Sequence, residues 1–191
     1  MRVPFVVGIG GTAKLGSSTE QALQIALRAA EEAGARTQFF SGRYLAALPL
    51  YLTESNAEAG ADLVAAIRQA DGVLLASPAY HGAISGAVKN AIDYLEETAR
   101  DPRTYLDGIP VGLIVTAYGW QATGSTLASM RSIVHALRGW PTPFGAALNT
   151  STGIFNGGIC TDALAAGQLS LVGRQVVEFA SLRLSDRSFA A

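Results

Sequence analysis

The sequence has little of the chemistry that marks several common classes of protein. It contains one cysteine, Cys160, and two histidines among 191 residues, so it offers no internal disulfide and no Cys/His metal cluster. Fourteen basic residues stand against fifteen acidic ones, and this balance gives no reason to expect nucleic acid or an anionic membrane surface as a partner. No apolar run reaches the roughly 20 residues of a membrane-spanning helix. We therefore expect a cytoplasmic protein without a metal site.

Apolar residues make up 49% of the chain, and they alternate between strand and helix patterns. Short β-branched runs predict buried strands at 3–9, 36–40, 73–77, 111–116 and 144–148. Three- and four-residue spacings predict helices at 18–33, 58–70, 85–100, 125–137 and 162–183, with a loop at 42–53. The alternation predicts one α/β domain, residues 1–191, in which helices cover both faces of a doubly wound sheet of five parallel strands. Such sheets bind ligands at the carboxyl ends of their strands, here after Ile9, Ser77 and Thr116.

The loop after the first strand, residues 10–19, reads GGTAKLGSST and leads into the first helix. Its four hydroxyls and one lysine, with the backbone N–H groups and the positive end of the helix dipole, are suited to a phosphate group. The alternative is that Ser17 or Ser18 only caps the helix, a role that needs one hydroxyl. Because the loop offers four, we interpret it as a phosphate-binding loop.

Two other kinds of phosphate loop are less consistent with these residues. A Walker loop needs a lysine after its last glycine, but Gly16 is followed by Ser17. Residues 8–13, GIGGTA, match the G-x-G-x-x-A dinucleotide pattern, yet the second strand does not end in the acidic residue that holds a ribose. Arg43 could bind a 2′-phosphate instead, so a Rossmann-type NADP-binding protein remains an alternative.

The loop after the third strand gives the most specific signal, because residues 77–93 read SPAYHGAISGAVKNAID. This stretch resembles the second flavin-binding loop and following helix of the NADPH-dependent FMN reductase family, P-x-Y-x-G-x-x-P/S-G-x-L-K-N-x-x-D. The first loop resembles the family's G-S-x-R-x-x-S-x-N/T motif, with Thr12 in place of serine and Lys14 in place of arginine. Residues 48–51, LPLY, resemble the family's Leu-Pro-Leu-Tyr segment. The resemblance implies a flavodoxin-like sheet with strand order 2-1-3-4-5.

The resemblance also implies which residues bind FMN. Thr12, Lys14, Ser17 and Thr19 would hold the phosphate, and Ser18 would lend a backbone amide. The pyrimidine side of the flavin would be lined by Pro78, Ala79, Tyr80, His81, Gly82, Ala83 and Ile84, mostly through main-chain groups. Thr116, Tyr118 and Gly119 would flank the isoalloxazine ring from the other side.

The function that the resemblance implies is NAD(P)H-dependent FMN reduction. A hydride would pass from NADPH or NADH to FMN, and electrons would then pass to a small acceptor: free flavin for a partner monooxygenase, a quinone, an azo compound or a metal ion. The flavin does this chemistry, so no side chain is assigned as a general acid or base. A flavodoxin-type electron carrier without nicotinamide turnover is the other alternative, which the near-neutral charge opposes.

Members of the family form dimers or tetramers, and the resemblance implies a homodimer or homotetramer here. The helix after Ser85 carries small and aromatic residues outside its apolar stripe, and we interpret these as the contact face. They are Gly86, Ala87, Lys89, Asn90 and Tyr94. Lys89 and Asp93 are four residues apart on this helix and could pair with each other.

Overall fold

The computed structural model describes residues 2–52 and 58–189. Its strands are β1 (Phe5–Gly10), β2 (Arg36–Phe40), β3 (Gly72–Tyr80), β4 (Ala83–Ile84), β5 (Pro110–Ala117), β6 (Trp140–Pro141), β7 (Ala146–Asn149), β8 (Phe155–Asn156) and β9 (Ile159–Cys160). Its α-helices are α1 (Ser18–Glu32), α2 (Gly42–Ala47), α3 (Ala61–Gln69), α4 (Gly86–Asp93), α5 (Trp120–Ala136) and α6 (Ala163–Phe189). A 3-10 helix over Tyr94–Thr98 follows α4 directly.

The central sheet is doubly wound, as predicted, but it has seven strands rather than five. The long parallel strands run in the order β2-β1-β3-β5, and β7 pairs with the free edge of β5. Two short strands were not predicted. The two-residue β6 also pairs with β5, and β4 adds an antiparallel edge to β3. Pro141 and Pro143 lack the N–H group that a ladder needs, which explains why the last sheet position is divided between β6 and β7.

Helices cover both faces of this sheet and divide the core in two. The helices α1 and α6 pack on one face around Val6, Leu74 and Ile114. The helices α2 to α5 pack on the other face, against side chains that alternate with these along the strands. Gly173 lets α6 approach α1 closely, because a Cβ there would lie 2.2 Å from the carbonyl oxygen of Ala26.

Several predicted boundaries were wrong, each for a local reason. The predicted loop 42–53 contains α2, whose cap is Ser41: its Oγ accepts a hydrogen bond from the N–H of Tyr44 at 3.3 Å. The helix predicted at 125–137 is α5, which begins at Trp120. Ser125 does not cap it but lies inside it, and its hydroxyl donates to the Ala122 carbonyl oxygen. The polar stretch 149–161 contains the β8–β9 hairpin.

Within the described residues, no helix is long and apolar enough to cross a membrane.

Candidate functional site

The carboxyl ends of β1, β3 and β5 surround an open cavity of about 570 Å³. This is the place where parallel sheets with reversed winding bind ligands. The cavity is lined by Thr12, Lys14, Gly16, Ser17, Ser18, Thr19, Pro78, Ala79, Tyr80, Thr116, Ala117, Tyr118, Gly119, Ala122 and Thr150. Eleven of the fifteen residues singled out from the sequence are in this set; His81, Gly82, Ala83 and Ile84 are not.

The loop between β1 and α1 is shaped by its own hydroxyl groups. Ser17 is the N-cap of α1, and its Oγ accepts a hydrogen bond from the N–H of Glu20 at 3.3 Å. The Oγ1 of Thr12 accepts from the N–H of Lys14 at 3.2 Å and so fixes the first turn of the loop. The first bond between a helical N–H and a carbonyl four residues earlier runs from Gln21 to Ser17. The N–H groups of Ser18 and Thr19 therefore precede the helical ladder, as in the first turn of any helix.

A buried pair of hydroxyls joins this loop to the central strand β5. The Oγ1 atoms of Thr19 and Thr116 lie 2.6 Å apart, and both side chains are almost completely buried. The pair ties the N-terminus of α1 to the carboxyl end of β5, and one of the two hydroxyls still has its hydrogen available for another acceptor. The two threonines thus hold the floor of the cavity.

The second loop is a tight hairpin rather than an open loop. Tyr80 pairs with Ala83, and between them His81 and Gly82 have φ of 52° and 85°. Two central residues with positive φ are typical of the type I′ hairpin turn, which favours glycine at the second. Ser77 anchors the hairpin, because its Oγ accepts from the N–H of Ser85 at 3.0 Å. Pro78, Ala79 and Tyr80 of this hairpin line the cavity, and the two turn residues are not part of the lining.

The third side of the cavity is formed where β5 passes into α5. Tyr118 and the neighbouring Trp120 are largely exposed, with 82% and 68% of their surface accessible. Thr150, which follows β7, was missed from the sequence; its N–H and Oγ1 donate to the Ala117 carbonyl oxygen at 2.8 and 3.3 Å. The rule that ligands bind at carboxyl ends could have indicated it, since Thr150 follows the strand next to β5. Gly16, Ala117 and Ala122 were also missed.

The LPLY segment, residues 48–51, is held on α4 by a set of side-chain hydrogen bonds. Asn90 donates to the Pro49 carbonyl oxygen at 2.8 Å and accepts from the N–H of Tyr51 at 3.0 Å. The Tyr94 hydroxyl donates to the same Pro49 oxygen at 2.9 Å. Asn90 and Tyr94 are consequently buried in their own chain. Their assignment to a face between subunits was wrong, whereas the expected pair between Lys89 and Asp93 is present.

Charge is distributed unevenly around the cavity. Among the described residues that line it, Lys14 carries the one formal charge, and no acidic side chain is present. A carboxyl group lies just behind, at Glu20 in the first turn of α1. It is almost completely buried, and its Oε2 has no hydrogen-bond partner among the described residues. Burial raises the pKa of Glu20 above its ordinary value. The open side of the loop therefore favours an anion.

Comparison with known proteins decides the family. A model of the NADPH-dependent FMN reductase family matches residues 4–153. The chain belongs to the NADPH-dependent FMN reductase family. The resemblance inferred from the loop motifs is thereby confirmed, and the match covers all three loops that line the cavity.

Relatives of the chain carry consistent descriptions. A segment of 88 residues is 38% identical to an NADPH azoreductase of Bacillus sp. (strain OY1-2), covering 44% of this chain and 46% of that protein. A longer segment is 34% identical to an FMN-dependent NADPH-azoreductase of Staphylococcus saprophyticus, covering 71% of each. FerB, a flavoenzyme NAD(P)H:(acceptor) oxidoreductase from Paracoccus denitrificans, superposes with a TM-score of 0.75 at 22% identity, over 94% of this chain and 98% of its own. This last likeness confirms the fold.

Proposed function

We propose that the protein is an NAD(P)H-dependent FMN reductase that binds FMN in the cavity at the ends of β1, β3 and β5. The observation that carries the proposal is the cavity itself. In a chain of this family, it joins a helix N-terminus, several hydroxyls and one lysine, with no acidic side chain in its lining. This donor set suits a phosphorylated, uncharged ring system.

The phosphate of FMN fits the loop between β1 and α1. The N–H groups of Ser18 and Thr19 and the helix dipole favour an anion there. Ser17 uses its Oγ as an acceptor in capping, which leaves its O–H free to donate to a phosphate oxygen. Thr12 borders the same pocket, and Lys14 adds a point charge.

The ring of FMN fits between the second and third loops. Pro78, Ala79 and Tyr80 would lie along one edge, and Thr116, Tyr118 and Gly119 would flank the ring from the other side. His81, Gly82, Ala83 and Ile84, which continue the hairpin beyond the lining residue Tyr80, would contribute main-chain groups to the pyrimidine edge. When bound, FMN accepts a hydride equivalent from a nicotinamide and can pass electrons on singly or in pairs. The protein's part is to hold and orient the ring and leave one face open to both substrates.

The second substrate is a small-molecule electron acceptor. Two relatives are described as azoreductases, which favours an azo compound, and a quinone or free flavin supplied to a monooxygenase uses the same chemistry. A cytoplasmic location agrees with the single cysteine.

A homodimer or homotetramer is part of the proposal. Large apolar side chains with much of their surface exposed line the cavity or stand next to a lining residue in the sequence: Tyr80, Tyr118, Leu15 and Trp120. An exposed apolar patch beside a ligand site is typical of a protein interface. A second copy of the chain bound on this patch would cover one side of the flavin and leave the other side of the cavity open to the substrates.

The test is a spectrum followed by turnover. Purified protein supplemented with FMN should show the visible absorption of a bound flavin, and NADPH added without oxygen should bleach it within seconds. Addition of an azo dye, a quinone or free FMN should then restore the colour, and the fastest acceptor identifies the substrate class. A flavin that binds but is not bleached by NADPH or NADH would indicate a flavodoxin-type carrier. Nicotinamide binding without flavin would indicate a Rossmann-type protein, and either result would overturn the proposal.

A further inference from the structure

Five arginine side chains surround a second pocket at the end of the sheet opposite the flavin cavity. This arginine pocket has a volume of about 310 Å³ and lies where β1, β2, β3 and β5 begin. Its cationic residues are Arg2, Arg36, Arg68, Arg103 and Arg183. The chain has 14 basic residues and a net charge of −1, so this is a strong local concentration of positive charge.

Few carboxylates accompany these guanidinium groups. Asp71 is the one acidic residue among those described that line the pocket, and it accepts from Arg2 at 3.1 Å and from the N–H of Phe5 at 3.0 Å. Asp101, outside the lining, accepts from Nε of Arg68 at 2.7 Å. The lining itself thus carries five positive charges and one negative charge.

Helix capping explains only part of the cluster. Arg103 donates to the carbonyl oxygens of Ile67 and Arg68, at the end of α3, as basic residues commonly do at helix C-termini. Arg36 comes from the start of β2, and its guanidinium lies over the ring of Phe5 at 3.6 Å. Stacking uses the face of the guanidinium and leaves the N–H groups on its rim able to donate.

We propose that the arginine pocket binds an oxyanion of the phosphate class, either free phosphate or pyrophosphate or the phosphate end of a larger metabolite. Guanidinium groups from separate elements line this one pocket, and a planar guanidinium binds phosphate oxygens through paired donors. The small volume suits a compact anion rather than a macromolecular surface. The site is separate from the flavin cavity, since the two share no lining residue.

The test measures anion binding to the protein with FMN in excess, so that the phosphate-binding loop is already occupied. Isothermal titration with pyrophosphate, inorganic phosphate and ADP is compared with sodium chloride at equal ionic strength. Arg36→Gln should weaken pyrophosphate binding by roughly tenfold or more, because one charge-assisted contact is lost. Arg36→Lys should lose less, since the charge remains. The matched control is Arg174→Gln, an exposed arginine of α6 outside the pocket, which should bind as the wild type does.

Three outcomes would overturn the proposal: no binding beyond the chloride control, equal losses in Arg36→Gln and Arg174→Gln, or a loss in Lys14→Gln without one in Arg36→Gln. The last result would assign the anion to the loop between β1 and α1.

If Arg36→Gln does not fold, as judged by circular dichroism, Arg2→Gln replaces it, because the Arg2 side chain is 60% exposed. ADP binding that is tighter than pyrophosphate binding and is weakened in Arg36→Gln supports the proposal and identifies a larger metabolite as the source. The reverse order supports it and identifies the inorganic anion.

Discussion

Hydroxyl side chains hold the shape of the loop between β1 and α1. Ser17 caps α1, Thr12 closes a turn onto Lys14, and Thr19 is tied to Thr116. From the sequence, helix capping was the alternative to phosphate binding for Ser17. The structure shows the capping bond, and that bond leaves the hydroxyl's hydrogen free, so the two roles are compatible. The phosphate role stays a prediction.

Ser17→Asp separates the two roles at this position. Aspartate caps a helix about as well as serine, so the fold should be retained. Its carboxylate would face the FMN phosphate, and we expect FMN affinity to fall by roughly 10- to 100-fold. Riboflavin, which has no phosphate, should bind nearly as well as it does to the wild type. Fluorescence titration with both flavins measures the effect, and equal losses for FMN and riboflavin would contradict the assignment of the loop.

Glu20 should make the protein less stable as the pH rises. Burial raises its pKa above the ordinary value of 4.5, so the folded state binds this proton more tightly than the unfolded chain does. The stabilisation is present below pH 4.5 and is lost as the pH rises through the higher folded pKa. Glu20→Gln should therefore have a higher melting temperature than the wild type at pH 7 and the same melting temperature at pH 4. The increase at pH 7 should be about 2–4 °C for each kcal/mol of stability recovered. A variant that melts at or below the wild type at pH 7 would contradict this reading.

At the scale of elements, the β3–β4 hairpin illustrates what the sequence could and could not predict. The PAYHG motif correctly indicated the family and a turn after a buried strand, because glycine and proline spacing is a local signal. It did not indicate that β3 continues to Tyr80 or that His81 and Gly82 form a turn that extends past the cavity lining. Likewise, the start of α5 has no side-chain cap at Gly119, so nothing in the sequence marked it.

Gly82 should be required for the hairpin and, through it, for flavin binding. Its φ of 85° is unfavourable for a β-branched residue, although no atom lies within 4 Å of the position a Cβ would take. Gly82→Val should cost about 1–2 kcal/mol locally and weaken FMN binding several-fold, whereas Gly82→Asn should be tolerated. Gly158→Val is the matched control, because Gly158 has a φ of 82° in the β8–β9 turn. It should lower the melting temperature similarly and leave FMN affinity unchanged; equal FMN losses would count against a role for the hairpin.

At the scale of the whole molecule, the sheet has two chemically different ends. The carboxyl ends of its strands meet at the cavity with Lys14 as the charged lining residue, and the opposite ends meet at the arginine pocket. Strand and helix periodicity predicted the winding and therefore the position of the first end. The second end was not predicted, because its arginines are far apart in sequence and fall in no motif. Only the fold brings Arg2, Arg68 and Arg183 together.

The exposed aromatic residues at the mouth of the cavity should mediate self-association. Trp120→Glu removes an exposed apolar side chain and places a carboxylate in the first turn of α5, where the helix dipole favours it, so the fold should be retained. In a homodimer or homotetramer built through this surface, the variant should shift toward monomer and bind FMN more weakly. Trp140→Glu is the control, since Trp140 is similarly exposed but pairs with Pro110 at the start of β5, at the opposite end of that strand from Trp120. Light scattering at micromolar concentration distinguishes the species. The prediction requires that this particular surface is buried between subunits. A monomeric wild type would therefore contradict it, and so would a shift toward monomer that is as large in Trp140→Glu as in Trp120→Glu.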